Sequence, residues 1–306
     1  MSNLLIVVAG PTAVGKTDFS VELARRYNTS IISSDSRQIY KELTIGTAVP
    51  AKDILQEIPH YFIHSHSITQ YYNASMYELA VLDLLKQLFR HTPVVILCGG
   101  SGLYTDAVCF GIDDLPEIDP EIRTNLMTKF KQEGIDSLRL QLKTLDPVYY
   151  KTVDLQNPKR ILKALEVSLM SGKPYSSLLT HKPKKRPFNI LFIGLNLPRH
   201  ELFSRINQRV DEMIANGLVD EARSLYPTFI SSHPQALNTV GYKELFSYFA
   251  GEITLNQAIV SIKSNTRKYA RKQITYFNKN KQMKWFHPLA IDSAVRYIES
   301  AGINNH

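Results

Sequence analysis

Short apolar runs alternate with amphipathic stretches through the first third of the chain. Leu4–Ala9, Ile31–Ser33 and residues 94–98 have the length and composition of buried strands. The stretch after Thr17 and residues 74–90 instead repeat apolar side chains at helical spacing. This alternation predicts an α/β fold, a parallel sheet with helices on both faces. The apolar face predicted for residues 74–90 consists of Leu79, Leu82, Leu85, Leu88 and Phe89.

Beyond residue 117 the pattern becomes wholly helical, and an apolar strand returns at residues 189–197. A basic, proline-bounded segment at residues 182–187 separates the two. We therefore predict that residues 118–188 form an all-helical insertion in a core domain made of residues 1–117 and 189–306. Further helices are predicted at residues 199–216, 238–249 and 255–277.

The composition is that of an ordinary globular protein, with 44% apolar and 21% charged residues in a chain of 306. No apolar run approaches the roughly 20 residues needed to cross a bilayer. The short apolar run at the N-terminus has no basic region before it, unlike a signal peptide. Two cysteines are too few for a disulfide framework or a cysteine-based zinc site. We expect a cytoplasmic protein that makes no membrane contact.

The formal net charge of +8 is concentrated near the C-terminus. Between Lys263 and Lys284 the chain carries eight basic residues and no acidic one. On the predicted helix 255–277, five of them form two neighbouring rows. Such a stripe favours a polyanionic partner, above all a nucleic acid. The rows are Lys263, Arg267 and Arg271 in one and Lys268 and Lys272 in the other.

Residues 10–17 have the spacing G-x-x-x-x-G-K-[ST] directly behind an apolar strand, which identifies a phosphate-binding loop. Gly10 and Gly15 allow turns that point backbone N–H groups inward, and the next helix directs its positive end at the same place. Lys16 adds a mobile positive charge, and the Thr17 hydroxyl is the expected ligand of a Mg²⁺ ion on the phosphates. The loop comprises Gly10, Pro11, Thr12, Ala13, Val14, Gly15, Lys16 and Thr17.

Two further polar positions follow predicted strands. Asp35 comes after the second strand and Ser101 after the glycine pair that ends the strand at residues 94–98. Ligands bind at this edge of open parallel sheets, so Asp35 is a candidate metal ligand or proton acceptor. An equally reasonable interpretation is an Asp that caps the next helix. No acid ends the later strand, which argues against an ordinary ATP-hydrolysing switch.

Arg205 and Arg209 lie four residues apart on the predicted helix 199–216 and share a face. Together they could bind a diphosphate or an RNA backbone. The alternative is a solvated face in which they pair with Asp211 or Glu212.

In order along residues 4–287, these motifs resemble the bacterial tRNA dimethylallyltransferases, also called tRNA isopentenyltransferases. The resemblance rests on residues 10–17, 34–40, 45–48, 99–104, 157–160, 164–167, 241–242 and 271–275. It implies a P-loop NTPase-like core in which the loop holds dimethylallyl diphosphate. The family transfers the prenyl group of that compound to N6 of the adenosine just 3′ of certain anticodons. It also implies the tRNA anticodon stem-loop as partner and Mg²⁺ as cofactor, and we expect a monomer.

The resemblance also implies roles for individual residues. Asp35 would be the general base, and Lys16, Thr17 with Mg²⁺, and Arg205 would stabilise the departing diphosphate. Ser101 stands where the family usually has Thr, which keeps the hydroxyl and loses a methyl group. The implied tRNA-binding residues are Asp35, Ser36, Arg37, Gln38, Ser101, Arg123, Lys159, Arg160, Ile161, Leu162, Lys163, Gly241, Tyr242, Lys243, Arg271 and Lys272.

Two other functions are compatible with parts of this pattern. A small-molecule kinase could use the same loop, with Asp35 binding or deprotonating the acceptor. A non-catalytic RNA-binding protein could keep the loop as a scaffold. The basic run argues against the first, and the presence of both Lys16 and Asp35 argues against the second.

Overall fold

A computed structural model describes residues 3–180 and 182–303. Its centre is a six-stranded sheet in which every neighbouring pair is parallel, in the order β3-β2-β4-β1-β5-β6. The predicted α/β class is therefore confirmed. The two edge strands were not predicted, because their two or three residues include His60 and Lys284 and do not form a buried apolar run as the equally short Ile31–Ser33 does. The strands are β1 (Leu4–Ala9), β2 (Ile31–Ser33), β3 (His60–Tyr61), β4 (Val94–Gly99), β5 (Asn189–Leu195) and β6 (Lys284–Phe286).

Two compact units make up the chain, divided after residues 110 and 184. The sequence prediction placed these divisions after residues 117 and 188. The first unit contains the sheet and nine α-helices within its described residues, and the second contains five. The first unit has α1 (Lys16–Tyr27), α2 (Lys52–Glu57), α3 (Ala74–Leu88), α4 (Gly102–Phe110), α10 (Arg199–Ala215), α11 (Leu218–Ser232), α12 (Tyr242–Phe249), α13 (Leu255–Phe277) and α14 (Ile291–Ile303). The second has α5 (Pro120–Glu133), α6 (Ile135–Leu145), α7 (Pro147–Tyr150), α8 (Pro158–Ser171) and α9 (Tyr175–Leu178).

The core of the first unit forms around β1, which lies between β4 and β5. Leu5, Ile6, Val7 and Val8 are all buried, as expected for a strand covered by helices on both faces. This explains why the run has no polar alternation. The sheet is thereby fixed in place, and the carboxyl ends of its strands form one edge.

The predicted apolar face of α3 was partly wrong. Leu79 is 67% exposed, whereas Tyr77 and Val81 are buried. Glu78 is buried as well, and its carboxylate pairs with Arg186 at 2.7 Å. Arg186 lies in the segment predicted as a basic linker. A charged side chain is costly to bury unless it is paired, so residue type alone would place both outside the core. Their mutual ion pair is what allows both to be buried.

In the second unit, helices α5, α6 and α8 pack around a separate apolar cluster that includes Leu126, Leu138, Leu142 and Leu165. This agrees with the predicted all-helical character of the insertion. Among the described residues of the chain, no helix has the length and apolar character needed to cross a membrane.

Candidate active site at the carboxyl edge of the sheet

Three neighbouring strands end together at one edge of the sheet. In the parallel register, Ser33 of β2 and Val8 of β1 both lie beside Cys98 of β4. The phosphate loop follows β1, Asp35 follows β2, and Ser101 follows β4. The candidate residues named from the sequence are therefore brought to the edge where parallel sheets bind ligands.

The phosphate loop depends on its two glycines. Gly10 has a φ of 154°, and a Cβ atom there would lie 2.6 Å from the Leu195 carbonyl oxygen. Gly15 has a φ of 102° and precedes α1 with no side-chain cap. The N–H groups of the first turn of α1 are thus left for a ligand, and the helix dipole adds positive potential there.

Two residues of the loop contribute differently from the rest. The Thr12 N–H donates to the Gln273 side chain at 2.9 Å, so this amide already has a partner. Pro11 has no N–H, and its carbonyl accepts a hydrogen bond from the Lys16 ammonium at 2.7 Å. Donors for a bound phosphate must therefore come from the later residues of the loop.

Lys16 is half-buried beside the loop. Desolvation lowers the pKa of its ammonium to about 8, and the positive charge of Arg209 acts in the same direction. The Cys98 thiol and the Asp35 carboxylate oppose the shift. Burial disfavours the charged form of Lys16 in the ligand-free protein. A bound anion would therefore stabilise this ammonium strongly.

Asp35 and Ser101 lie in one hydrogen-bonded cluster. The Asp35 carboxylate accepts the Arg37 N–H at 2.8 Å, a local turn that fixes its side chain. The Ser101 hydroxyl accepts the Ser36 N–H at 3.0 Å and donates to the Ser36 hydroxyl at 3.1 Å. Gly99 permits this approach, because a Cβ atom there would lie 2.3 Å from the Ser34 hydroxyl oxygen. Asp35 forms no ion pair within the described chain and retains acceptor capacity.

Both arginines of α10 face this region. A Cβ atom on Gly15 would lie 3.7 Å from the Arg205 guanidinium, so Arg205 lies against the loop. Arg209 is half-buried, and desolvation lowers its pKa despite the opposing charges of Asp35, Glu212 and Asp18. Its guanidinium has no hydrogen-bond partner among residues 3–180 and 182–303. The predicted alternative was pairing with Asp211 or Glu212. In the described chain Asp211 pairs with Lys263, and Glu212 accepts a hydrogen bond from the Gln208 side chain while its charge acts on Arg209.

Two α13 residues at the same edge received no individual role from the sequence. Gln273 is buried and donates to the Gly100 carbonyl at 2.9 Å. Tyr269, one turn earlier, is 42% exposed, and burial of its hydroxyl raises its pKa to about 12, with the Asp35 charge as the second cause. Hydrogen bonding to Ser101 and Gln273 opposes that shift. Gln273 lies inside the motif at residues 271–275 and Tyr269 lies close before it. That motif is the sequence feature that could have indicated both residues.

The basic stripe of α13 divides into two sets. Lys263 pairs with Asp211 at 2.6 Å, and Arg267 donates to the Asn207 side chain, so both are engaged by α10. Lys268, Arg271 and Lys272 are exposed and have no ion-pair partner in the described part of the chain. The prediction of a stripe of five without compensating acids is therefore wrong for Lys263, whereas the Asn207 amide that binds Arg267 carries no charge. The carboxylate that compensates Lys263 comes from another helix, where spacing along α13 cannot reveal it.

Three of the predicted tRNA contacts have buried side chains. Tyr242 is fully buried, with its hydroxyl hydrogen-bonded to the Glu221 carboxylate. In the second unit, Ile161 and Leu162 belong to the apolar cluster. All three side chains pack within the fold. Their neighbours Lys159 and Arg160 are exposed.

The remaining predicted tRNA-binding residues have varied exposure. Lys243 is exposed, Lys163 is half-buried, and the Gly241 N–H at the start of α12 donates to the Glu244 carboxylate at 2.8 Å. Arg123 forms a bidentate ion pair with Glu166, with distances of 2.8 and 3.0 Å. Gln38 donates to the carbonyls of residues 47 and 48, which ties its amide to its own loop. Ser36, Arg37 and Gln38 are all half-buried.

The described side chains at this edge offer few ligands for a Mg²⁺ ion. Within residues 3–180 and 182–303, no three His, Cys, Asp or Glu side chains are grouped to hold a metal ion. Thr17 offers one hydroxyl at the start of α1. Mg²⁺ commonly binds through one or two protein oxygens together with waters and phosphate oxygens. The residues therefore fit an ion that is held mainly by a bound diphosphate.

Comparisons with known proteins agree with this arrangement. A sequence model described as IPP transferase matches residues 38–280. The chain is 54% identical over 288 residues to tRNA dimethylallyltransferase 2 of Azobacteroides pseudotrichonymphae, covering 94% of this chain and 93% of that one. It is 50% identical over 302 residues to tRNA dimethylallyltransferase 1 of Bacteroides fragilis, covering 98% and 99%. The latter alignment also spans the phosphate loop and Asp35, which precede the matched family region.

Solved structures give the same result for the fold. The crystal structure of the tRNA isopentenylpyrophosphate transferase of Bacillus halodurans is similar with a TM-score of 0.72 and 32% identity, covering all of both chains. A eukaryotic dimethylallyltransferase acting on tRNA has a TM-score of 0.81 at 22% identity, covering all of this chain and 80% of that one, which supports the fold alone. The long family match and the identity to several relatives establish that the chain belongs to the IPP transferase family.

Proposed function

We propose that the protein transfers the dimethylallyl group of dimethylallyl diphosphate to N6 of the adenosine directly 3′ of the anticodon in tRNA. The products are N6-dimethylallyl adenosine and diphosphate. The observation that carries the proposal is the convergence of the phosphate loop, Asp35 and the α10 arginines at one sheet edge, beside the exposed cations of α13. Family membership argues against the kinase and the non-catalytic RNA-binding alternatives.

The chemical step is a displacement at the allylic carbon. The N6 lone pair forms the new bond to C1 of the prenyl group, the C1–O bond breaks, and its electron pair stays on diphosphate. The proton leaving N6 passes to the Asp35 carboxylate. Asp35 suits this task because its turn through Arg37 fixes the carboxylate while leaving acceptor positions free.

Negative charge that builds on the departing diphosphate would meet preorganised donors. Lys16, Arg209 and the N–H groups at the start of α1 are candidates, with Arg205 beside Gly15. Because Lys16 and Arg209 are partly desolvated, their charges act more strongly than in water. Mg²⁺, when bound with the diphosphate at Thr17, would neutralise part of the same charge.

The exposed Arg271 and Lys272 would attract the phosphate backbone of the anticodon stem-loop. The target adenosine must leave the loop stack to reach Asp35, at a cost of a few kcal/mol that backbone contacts must offset. Since tRNA is the acceptor, we propose that the enzyme works in the cytoplasm. All residues of the first unit's site come from one chain, so a monomer suffices for this step.

The direct test incubates the protein with labelled dimethylallyl diphosphate, Mg²⁺ and unmodified tRNA, then digests the RNA and identifies the labelled nucleoside. Label on N6 of the adenosine after the anticodon is the expected result. Absence of labelled RNA, or label on another atom, would reject the proposal. An Asp35→Asn sample is the matched control, since it keeps the size of the side chain and removes the base.

A further inference from the structure

Gln273 connects two loops of the candidate site through one side-chain amide. It lies on α13 and is 6% exposed. Its carbonyl oxygen accepts the Thr12 N–H at 2.9 Å, and its NH₂ group donates to the Gly100 carbonyl at 2.9 Å. Both ends of the amide are therefore used, and each holds the backbone of a different loop.

The loop after β4 is shaped to receive this face of α13. A Cβ atom on Gly100 would lie 2.3 Å from the Gln273 amide nitrogen, and one on Gly102 would lie 2.1 Å from the ring of Tyr276. Gln273 and Tyr276 are three residues apart and share a face of the helix. The glycines at these two positions let the backbone of the loop approach the helix closely.

The two loops carry the groups that must meet in the reaction. Thr12 belongs to the loop proposed to hold the diphosphate. Gly100 precedes Ser101, whose hydroxyl binds Ser36 next to the proposed base Asp35. The Gln273 side chain is therefore hydrogen-bonded to the backbone of both loops at once.

We propose that Gln273 is a positioning residue that fixes the distance between two loops. These are the phosphate loop, which we call the donor loop, and the loop with Gly100 and Ser101, which we call the acceptor loop. The inference rests on the proposed function. It predicts that removing the amide changes the rate of transfer more than the binding of either substrate. The rate of a displacement depends steeply on the geometry of the reacting groups, and moving them by about 1 Å can lower the rate by about 100-fold.

The test is a double-mutant cycle on Gln273→Ala and Gly100→Ala, measured as kcat and as KM for dimethylallyl diphosphate and for an anticodon stem-loop RNA. We expect Gln273→Ala to lower kcat by 10- to 100-fold, with each KM within about threefold of the wild-type value. Gly100→Ala should lower kcat in the wild-type background, because the added methyl group displaces the Gln273 amide. In the Gln273→Ala background the same change should cost at least fivefold less.

Gln257→Ala is the control for structural damage. Gln257 lies on the same helix, where its side chain forms the capping box with Thr254. Its loss should lower the melting temperature without lowering kcat at a temperature where the protein is folded. If Gln273→Ala behaves as this control does, or if the two substitutions of the cycle multiply independently, the positioning role is wrong. A wild-type enzyme that transfers no prenyl group would instead reject the proposed function itself.

Discussion

We predict that the partly buried Lys16 ammonium lowers the free energy of unfolding of the ligand-free protein. The same charge is proposed to bind the diphosphate. Its pKa falls from an ordinary value of 10.5 to about 8, mainly through desolvation. A difference of this size corresponds to about 3 kcal/mol at neutral pH. Because the side chain is partly exposed, solvent screening reduces this to about half. Loss of the hydrogen bond to Pro11 removes about 0.5–1 kcal/mol more. We expect Lys16→Met to raise the free energy of unfolding by about 1 kcal/mol.

Thermal unfolding at several pH values measures this effect. A gain of 1 kcal/mol raises the Tm of a protein of this size by about 2–4 °C. The native pKa lies below the unfolded value, so the unfolded state binds more protons between pH 8 and 10.5. The contribution of Lys16 to stability therefore rises with pH through that window, and its penalty is fully present below pH 8. Desolvation raises the pKa values of the Cys98 and Cys109 thiols, which act in the opposite direction in both proteins, so the difference between wild type and Lys16→Met isolates the Lys16 contribution. The advantage of Lys16→Met should shrink as pH rises from 8 to 10.5.

Binding of inorganic diphosphate supplies the second half of the assay. Lys16→Met should lose most of the affinity, because it removes the positive charge at the donor loop. Lys16→Arg keeps a charge at every pH and corrects for ionisation of the ligand itself. Relative to Lys16→Arg, wild-type affinity should fall above pH 8. The reasoning fails if Lys16→Met is less stable than wild type at pH 7, or if it binds diphosphate equally well.

Three further substitutions test other parts of the site. Asp35→Asn should lower kcat by about 100-fold or more while tRNA affinity changes little, and near-normal turnover would exclude the base. Reversing the charges of Arg271 and Lys272 should weaken tRNA binding and flatten its salt dependence, whereas Lys263→Met should do neither; equal effects in filter binding would contradict the division of the stripe. Tyr242→Phe should lower the free energy of unfolding by about 1–3 kcal/mol in urea titrations and leave tRNA affinity unchanged; weaker tRNA binding would restore it as a contact.

Most of the sheet and the position of the donor loop were predictable because they depend on local pattern. Leu4–Ala9 is buried on both faces and reads as a continuous apolar run. Leu255–Phe277 was predicted with both ends correct, since Thr254 and Gln257 form a capping box at its start. Parallel pairing then places Asp35 and Ser101 at the same edge.

What could not be predicted depends on contacts between distant segments. Asp211 neutralises Lys263 from another helix. The Glu221 carboxylate accepts the N–H groups of residues 44–46 and the Tyr242 hydroxyl, which explains two of the family's motifs as packing. A bound Gln and an exposed one look identical in sequence, so Gln273 could not be distinguished from its neighbours. The motifs therefore contain both residues of the candidate site and residues that pack the fold.

Burial divides the positive charge of the first unit into two functional classes. Lys16 and Arg209 are partly desolvated, so their fields are strong over a few ångströms and little affected by salt. Arg271 and Lys272 are exposed, so their attraction reaches farther from the surface and is screened within about 10 Å at moderate ionic strength. The first class suits charge that develops on one leaving group, and the second suits the distributed charge of an RNA backbone. The net charge of the chain alone cannot separate these two tasks, whereas the depth of each cation beside the sheet edge does.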